Sequence, residues 1–206
     1  MRGTLHEIAF FVSVPAGIAL IALANTGKAR FAAVIFATGL VGVFGASAAY
    51  HRVAWSVPAR KRMKRLDHSM IFVLIAGTYT PLCLLALSGA WSVVMLATVW
   101  AGAITGIVMK QFNIDGLRRV SGFLYITLGW ISIVTLPQLF HSMSGLGFAL
   151  VVAGGLLYTL GAIVFATKRP DPNPAVFGYH EIWHAFTAGA GLCHYSAILL
   201  LIIAVH

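Results

Sequence analysis

Charged residues are scarce in this chain, and acidic residues are scarcer than basic ones. Only 9% of the 206 residues are charged, whereas 60% are hydrophobic, and soluble domains usually carry about 25% charged residues. A chain of this composition cannot cover a water-facing surface, so a soluble fold is excluded. The mean hydropathy of +0.91 is instead typical of a protein that lies within a lipid bilayer.

Cysteine is nearly absent, and this excludes two kinds of site. Cys83 and Cys193 both lie in apolar stretches, and neither belongs to a C-x-x-C pair. The sequence therefore has neither the cysteine framework of a small disulfide-linked protein nor a thiolate metal site.

The formal net charge of +9 comes from 14 Lys and Arg residues against five Asp and Glu residues. In a soluble protein this imbalance would indicate nucleic acid as a partner. Here the basic residues lie in short connections beside hydrophobic runs, where they set membrane orientation and meet anionic lipid headgroups. We therefore expect membrane lipid as a partner and no nucleic acid.

Seven apolar runs dominate the sequence, and each is long enough to cross a bilayer, which takes about 20 residues. The predicted spans are residues 8–24, 31–51, 67–87, 90–109, 120–139, 146–167 and 179–205. The first run is followed by Asn25-Thr26-Gly27-Lys28 and not by a small-residue cleavage site, so it is predicted to be a span and not a signal peptide. The sequence predicts an all-α protein, a seven-transmembrane helix bundle formed by one domain over residues 1–206.

The basic residues are distributed unequally between the two sides of the predicted bundle. Twelve of the 14 lie on the side of the amino terminus, and only Lys28 and Arg30 lie opposite. Because Lys and Arg accumulate in cytoplasmic connections, we expect a cytoplasmic N-terminus and, with seven spans, an external C-terminus.

Polar side chains cluster at three predicted span ends on that cytoplasmic side. The candidates are Ser47 and His51 at the end of the second span, Asp67 and His68 at the start of the third, and His180, Glu181 and His184 at the start of the seventh. Ionisable residues are costly inside membranes, so each is a candidate for function.

The spacing of three of these histidines indicates a metal site. His180 and His184 are four residues apart on one helix face, as are Ser47 and His51. If the helix ends meet, three imidazoles can converge, and three histidines plus a water form an open coordination set for catalytic zinc. Asp67 could orient a histidine or accept a proton from that water, or it could simply cap the start of the third helix.

One alternative follows from the stretch His180-Glu181-Ile182-Trp183-His184, which matches H-E-x-x-H. In zinc proteases the glutamate of this motif is the general base. Asn113-Ile-Asp115-Gly116 also imitates the aspartate motif of intramembrane metalloproteases, but it precedes the histidine pair and lies in a short basic connection. The protease interpretation is therefore the weaker one.

Four motifs in this order resemble the bacterial hemolysin III family, which is grouped with the progestin and adipoQ receptors and the alkaline ceramidases. They are Ser47-Ala-Ala-Tyr-His51-Arg, Leu66-Asp-His-Ser-Met-Ile-Phe, Ala76-Gly-Thr-Tyr-Thr-Pro81 and Phe177-Gly-Tyr-His-Glu-Ile-Trp-His184. The match covers nearly the whole chain. At the amino end, Glu7-Ile-Ala-Phe10 departs from the family pattern, because an asparagine usually stands at the position of Phe10.

The resemblance implies zinc near the inner leaflet of the bacterial plasma membrane, held by the residues that match His51, His180 and His184. Ser47 and Asp67 match the companion serine and aspartate of the family. In the ceramidase branch a metal-activated water is thought to attack a lipid amide, with the aspartate as acid and base and the serine near the developing oxyanion. For this chain the leading hypothesis is thus a zinc-dependent hydrolase of lipid amides or esters.

Two other functions remain open from the sequence. One is a non-enzymatic membrane-homeostasis sensor or receptor-like protein in which zinc only ties helices together. The other is a pore-forming cytolysin, but polar groups at one end of the bundle provide no continuous polar lining for a pore.

The orientation can be tested with reporter fusions. Because the basic residues accumulate on one side, we expect a reporter at the carboxyl terminus to be active only outside the cytoplasm, and one inserted between Arg52 and Arg65 to be active only inside. A carboxyl-terminal reporter that is active in the cytoplasm would contradict the seven-span orientation.

Overall fold

The structure, a computed structural model, describes residues 3–112 and 116–205, and in these ranges the elements are helical. The helices are α1 (Thr4–Leu23), α2 (Gly27–Arg52), α3 (Val57–Pro81), α4 (Gly89–Phe112), α5 (Arg118–Trp130), α6 (Leu136–Ser142), α7 (Gly145–Thr167) and α8 (Tyr179–Ala204). A π-helical turn (Leu82–Ala86) extends α3, and a 3₁₀ turn (Ile131–Thr135) joins α5 to α6. Within the described ranges, seven spans are long and apolar enough to cross a membrane, which confirms the predicted seven-helix bundle.

The start of α3 differs most from its prediction. The helix begins at Val57, ten residues before the predicted span, and its first turns contain basic residues that were expected in a connection: Arg60, Lys61, Arg62, Lys64 and Arg65. Pro58 suits a first helical turn, and Lys and Arg are good helix formers. Hydropathy marks where a helix becomes apolar and not where it begins. Asp67 therefore lies well inside α3, and its interpretation as an N-cap is wrong.

Lys110 is another basic residue that lies in a helix, although the predicted span ended at residue 109. It lies in the last turn of α4, is buried, and places Nζ 5.8 Å from the centroid of the Tyr125 ring. The apolar stem of the lysine and the cation–π contact lower the free-energy cost of burying its charge. The Asn113-Ile-Asp115-Gly116 motif follows α4, and its residues 113–115 lie outside the described residues.

Helices α2 and α3 are the most buried spans of the bundle, and their backbones approach each other closely. A Cβ atom added to Gly39 would lie 3.1 Å from the Leu74 backbone, and one added to Gly77 would lie 3.2 Å from the Ile35 carbonyl oxygen. Small residues at helix contacts permit this close packing in membranes.

Tyr79 stabilises the point where the fifth span changes from α-helix to 3₁₀ turn. Its hydroxyl shares one donated hydrogen between the carbonyl oxygens of Leu128 and Gly129, at 2.9 and 3.0 Å, and accepts from the Ser132 amide at 3.0 Å. Pro137 follows in the first turn of α6. Backbone groups that a break frees within a bilayer need such partners.

The remaining contacts bring several helix ends together. Helix α1 packs along α2 and against α8, while α7 packs along α8. As a result, the amino-terminal ends of α1 and α8 meet the carboxyl-terminal end of α2 at one end of the bundle.

Candidate metal centre

Three histidines converge where α2 ends and α8 begins. His51 lies in the last turn of α2, and His180 and His184 occupy the first two turns of α8. One ligand nitrogen of each residue lies within 4.8 Å of the other two. Within the described ranges, these three residues form the one group of at least three His, Cys, Asp or Glu residues placed closely enough to hold a metal ion.

The spacing of the imidazoles fits a tetrahedral ion. The Nε2 atoms of His51 and His180 are 3.4 Å apart. With Zn–N bonds of about 2.0 to 2.1 Å, two nitrogens of a tetrahedral site lie about 3.3 Å apart. The ring centroid of His184 is 4.6 Å from that of His180 and 5.2 Å from that of His51, and its ligand nitrogen lies within 4.8 Å of theirs. Three neutral imidazoles are also an ordinary zinc donor set.

A fourth imidazole, His6 of α1, lies in the same cluster. Its ring stacks on that of His184 at a centroid distance of 3.8 Å and an interplanar angle of 5°. Its Nδ1 atom is hydrogen-bonded to Ser47 Oγ at 2.8 Å, and the residue is only 3% exposed. His6 thus connects Ser47 to the candidate ligand His184.

Sequence reasoning missed His6 because the first span was predicted to start at residue 8, whereas α1 starts at Thr4. The sequence position of His6 could have indicated its role, because it precedes the first span on the side of the membrane predicted for the other three histidines. The Nε2 atom of His6 is buried and has no hydrogen-bond partner among the described residues. A buried polar atom of this kind fits a site that receives a further polar group.

The start of α1 is fitted closely to His51. Gly3 has a positive φ of 85°, and a Cβ atom at this position would lie 2.7 Å from His51 Cβ. Glycine adopts this left-handed conformation without steric cost. Nearby, Arg52 Nε donates to Glu7 Oε2 at 2.8 Å, so the two side chains form an ion pair between α1 and α2.

Asp67 lies beside the cluster and is not one of the converging ligands. Its Oδ2 atom is 3.4 Å from His68 Nδ1. The side chain is 14% exposed. Asp67 thus contacts His68 and is not one of the three residues whose ligand atoms converge.

Glu181 contributes to the start of α8. Its buried Oε2 atom accepts a hydrogen bond from the Gly178 amide at 2.9 Å, and Asp171 Oδ1 accepts one from the Tyr179 amide at 3.0 Å. Both carboxylates thus satisfy amides at a helix start. This geometry favours a capping role for Glu181 over the general-base role that the protease interpretation requires.

Two cavities lie near the cluster. A small cavity of about 40 Å³ opens beside His180 and is lined by Asp171, Gly178 and Glu181 among others. A larger one of about 120 Å³ begins at Trp183 and Thr187, within one turn of His184, and extends between α3, α5, α7 and α8. His180 thus lines the small cavity, and the larger, apolar cavity comes within one turn of His184 along α8.

These features define a polytopic α-helical membrane protein with a histidine cluster at one end of its bundle. The family model described as "Haemolysin-III related" matches residues 1–195. The chain belongs to this family, as the resemblance predicted.

Named relatives agree with this assignment. The chain is 34% identical over 201 residues to Hemolysin-3 of Bacillus cereus, which covers 96% of this chain and 89% of the relative. It is 28% identical over 195 residues to Monocyte to macrophage differentiation factor of Homo sapiens, with 91% and 79% covered. It is also 26% identical over 180 residues to Adiponectin receptor protein of Drosophila melanogaster, with 79% and 40% covered.

The position of His6 leads to a graded stability prediction. His6→Ala removes the stack on His184 and the Ser47 hydrogen bond, so we expect a loss of about 2 kcal/mol or more. His6→Phe retains a stacked ring and should lose less. Thermal unfolding in detergent measures the series, with His141→Ala as control because His141 is exposed on α6. Equal unfolding temperatures for His6→Ala and the control would contradict the packing role.

Proposed function

We propose that this protein binds one Zn²⁺ through His51, His180 and His184 at the cytoplasmic face of the bacterial inner membrane, and that it hydrolyses a lipid amide or ester there. The observation that carries the proposal is the convergence of three imidazole nitrogens from two helices within 4.8 Å. The orientation rests on the accumulation of basic residues at the same end of the bundle.

Zinc held by the three histidines would act as a Lewis acid and would make water a nucleophile near neutral pH. The side chains around it have separate tasks. Asp67, with its partly buried carboxylate, would accept a proton from the attacking water and return it to the leaving amine nitrogen or alcohol oxygen. Ser47 directs its hydroxyl toward the developing oxyanion, and His6 fixes the position of that hydroxyl through the 2.8 Å hydrogen bond.

A lipid substrate is favoured by the surroundings of the histidines. The apolar cavity begins within one turn of His184, and the small cavity with carboxylates in its wall lies beside His180. An amphiphile can place its polar linkage at the histidines and its acyl chain in the apolar cavity. A soluble polar substrate would leave the apolar walls without a partner.

The zinc assignment predicts the metal content of purified variants. His180→Ala and His184→Ala should each lose most of the zinc, because each removes one of three ligands. Ser47→Ala should keep it, since a hydroxyl is a poor ligand beside three imidazoles. Elemental analysis by plasma mass spectrometry measures the zinc-to-protein ratio. Full occupancy in the His51→Ala, His180→Ala double variant would contradict the assignment.

Catalysis predicts a specific effect of Asp67→Asn, which keeps the size of the side chain but cannot take up a proton. We expect this variant to fold and to lose lipid turnover by roughly 10- to 100-fold. The assay is mass spectrometry of lipid vesicles containing ceramide and bacterial lipid, before and after incubation with the zinc-loaded protein. Chelated protein serves as the blank.

Glu7→Gln is the matched control, because the Glu7 carboxylate is partly exposed and paired with Arg52. It should leave turnover nearly unchanged. If zinc-loaded wild-type protein turns over no lipid while it keeps its metal, zinc has a structural role and the hydrolase proposal fails.

A further inference from the structure

The first turns of α3 carry the densest positive charge of the chain. Five of the six residues from Arg60 to Arg65 are basic, and the sequence contains no acidic residue between Glu7 and Asp67. With its π-helical turn this span has 30 residues, which is about 45 Å at 1.5 Å per residue, whereas the hydrocarbon core of a bilayer is about 30 Å thick. The basic turns therefore extend beyond the hydrocarbon core to the level of the lipid headgroups.

The basic turns lie at the same depth as the histidine cluster. The Met70 side chain lies directly against Gly42 of α2, and the two helices are antiparallel because only residues 53–56 connect them. His51 is nine residues beyond Gly42, and Lys61 is nine residues before Met70. Counted from this contact, His51 and Lys61 are level, so a headgroup at the basic turns would lie beside the imidazoles.

One of the basic side chains reaches back toward that cluster. The Arg60 guanidinium carbon lies 6.0 Å from the centroid of the Tyr50 ring, which is a cation–π distance. The Tyr50 ring in turn lies 4.7 Å, centroid to centroid, from the ring of His51. Arg60 remains exposed, so its N–H donors are available to a group that approaches from the headgroup region.

Arg60 belongs to a helical stripe that leads into the bundle. Lys64 and Asp67 follow it at the i+4 and i+7 positions of α3, so the three side chains lie on one helix face. The same face continues through Ile71 and Thr78, which line the apolar cavity. From the cytoplasmic end inward, this face presents two cations, a carboxylate and then mainly apolar side chains.

A second basic pair has the same spacing but a different direction. Lys61 and Arg65 follow the first pair by one residue, which turns them by about 100° around the helix axis. Ser69, one turn after Arg65, accepts a hydrogen bond from Gln111 of α4 at 3.1 Å. The second pair thus lies on the side of α3 that faces α4, and not on the stripe that contains Asp67.

The first pair suits a phosphate group. Side chains four residues apart on a helix have Cβ atoms about 6 Å apart. Arginine can bind two phosphate oxygens at once, and lysine supplies a compact charge. At the depth of the headgroups, the phosphate group belongs to a phospholipid. A zwitterionic headgroup brings a cation of its own, which the two basic side chains repel, whereas an anionic headgroup does not.

We infer that Arg60 and Lys64 form a binding site for the phosphate group of an anionic phospholipid, beside the histidine cluster, and that the protein selects anionic over zwitterionic lipids there. The general attraction of basic residues to a membrane surface depends on their number, whereas this site depends on one face of α3. The site does not require zinc. In a hydrolase, a consequence that rests on the proposed function, it would hold anionic lipids next to the zinc ligands.

The test measures the affinity of the purified full-length protein for phosphatidylglycerol and for phosphatidylcholine with the same acyl chains. Native mass spectrometry of the protein in neutral detergent counts the bound lipid during each titration. We expect wild-type protein to bind phosphatidylglycerol more tightly, with a contribution of about fivefold from each cation. Arg60→Gln with Lys64→Gln should therefore remove most of this preference and leave phosphatidylcholine binding nearly unchanged.

Lys61→Gln with Arg65→Gln is the matched control, because it removes the same charge from the same turns of α3. It should keep most of the preference, and thermal unfolding shows whether both double variants are folded. The single variants Arg60→Gln and Lys61→Gln, both at exposed positions, repeat the comparison with smaller changes.

Three results would overturn the inference. The first is an equal loss of preference in the two double variants, which would mean that only the total charge matters. The second is equal affinity of wild-type protein for the two lipids. The third is a preference that survives Arg60→Gln with Lys64→Gln.

A further arm separates this site from the zinc proposal. Both titrations are repeated with metal-free protein prepared with a chelator, and the zinc content is measured in the same samples. We expect the preference to be unchanged, so a protein that binds no zinc would refute the zinc proposal and leave this site intact. A preference that disappears with the metal would place the phosphate group on the zinc ion and would refute the inference.

Discussion

The interior of a bilayer offers no water, so each polar group inside this bundle depends on a partner supplied by the protein or by a ligand. Most of the chain meets this requirement through helical backbone hydrogen bonds and apolar side chains. The exceptions are concentrated. Imidazoles gather where α1, α2 and α8 meet, and Tyr79 satisfies the backbone at the break in the fifth span. The buried polar groups thus mark the histidine cluster and the break in the fifth span as regions where side chains have roles beyond apolar packing.

The histidine cluster depends on helix packing at several levels. Glycines allow α2 and α3 to approach closely, and the positive φ of Gly3 allows the start of α1 to lie against His51. Glu181 and Asp171 accept hydrogen bonds from amides at the start of α8, which places His180 and His184 in its first two turns. The four imidazoles are then held by three helices that are far apart in the sequence. A metal ion at this point would join α2 to α8 in the same way that His6 already joins α1 to both.

Much of this arrangement could be predicted from the sequence. The seven spans follow from hydropathy because bilayer thickness sets the length of each apolar run. The i, i+4 spacing and the alternating topology place His51, His180 and His184 at the same end of the bundle, whereas their convergence depends on how α2 and α8 pack. Helix starts could not be obtained in this way, because amphipathic or basic turns are helical without being apolar. The early start of α3 removed the cap interpretation of Asp67, and the early start of α1 brought in His6. The buried Tyr158 hydroxyl and His194 Nδ1, which lack hydrogen-bond partners among the described residues, could not be predicted either, since this depends on how the side chains pack.

The central claim is that three imidazoles hold a zinc ion at the end of this bundle, and X-ray absorption spectroscopy at the zinc edge tests it most directly. The purified protein in detergent should show a first shell of nitrogen and oxygen atoms at about 2.0 to 2.1 Å. Multiple-scattering features should correspond to three imidazoles, and no sulfur should be present. A shell with one imidazole or none, or one with a Zn–S distance of about 2.3 Å, would contradict the account.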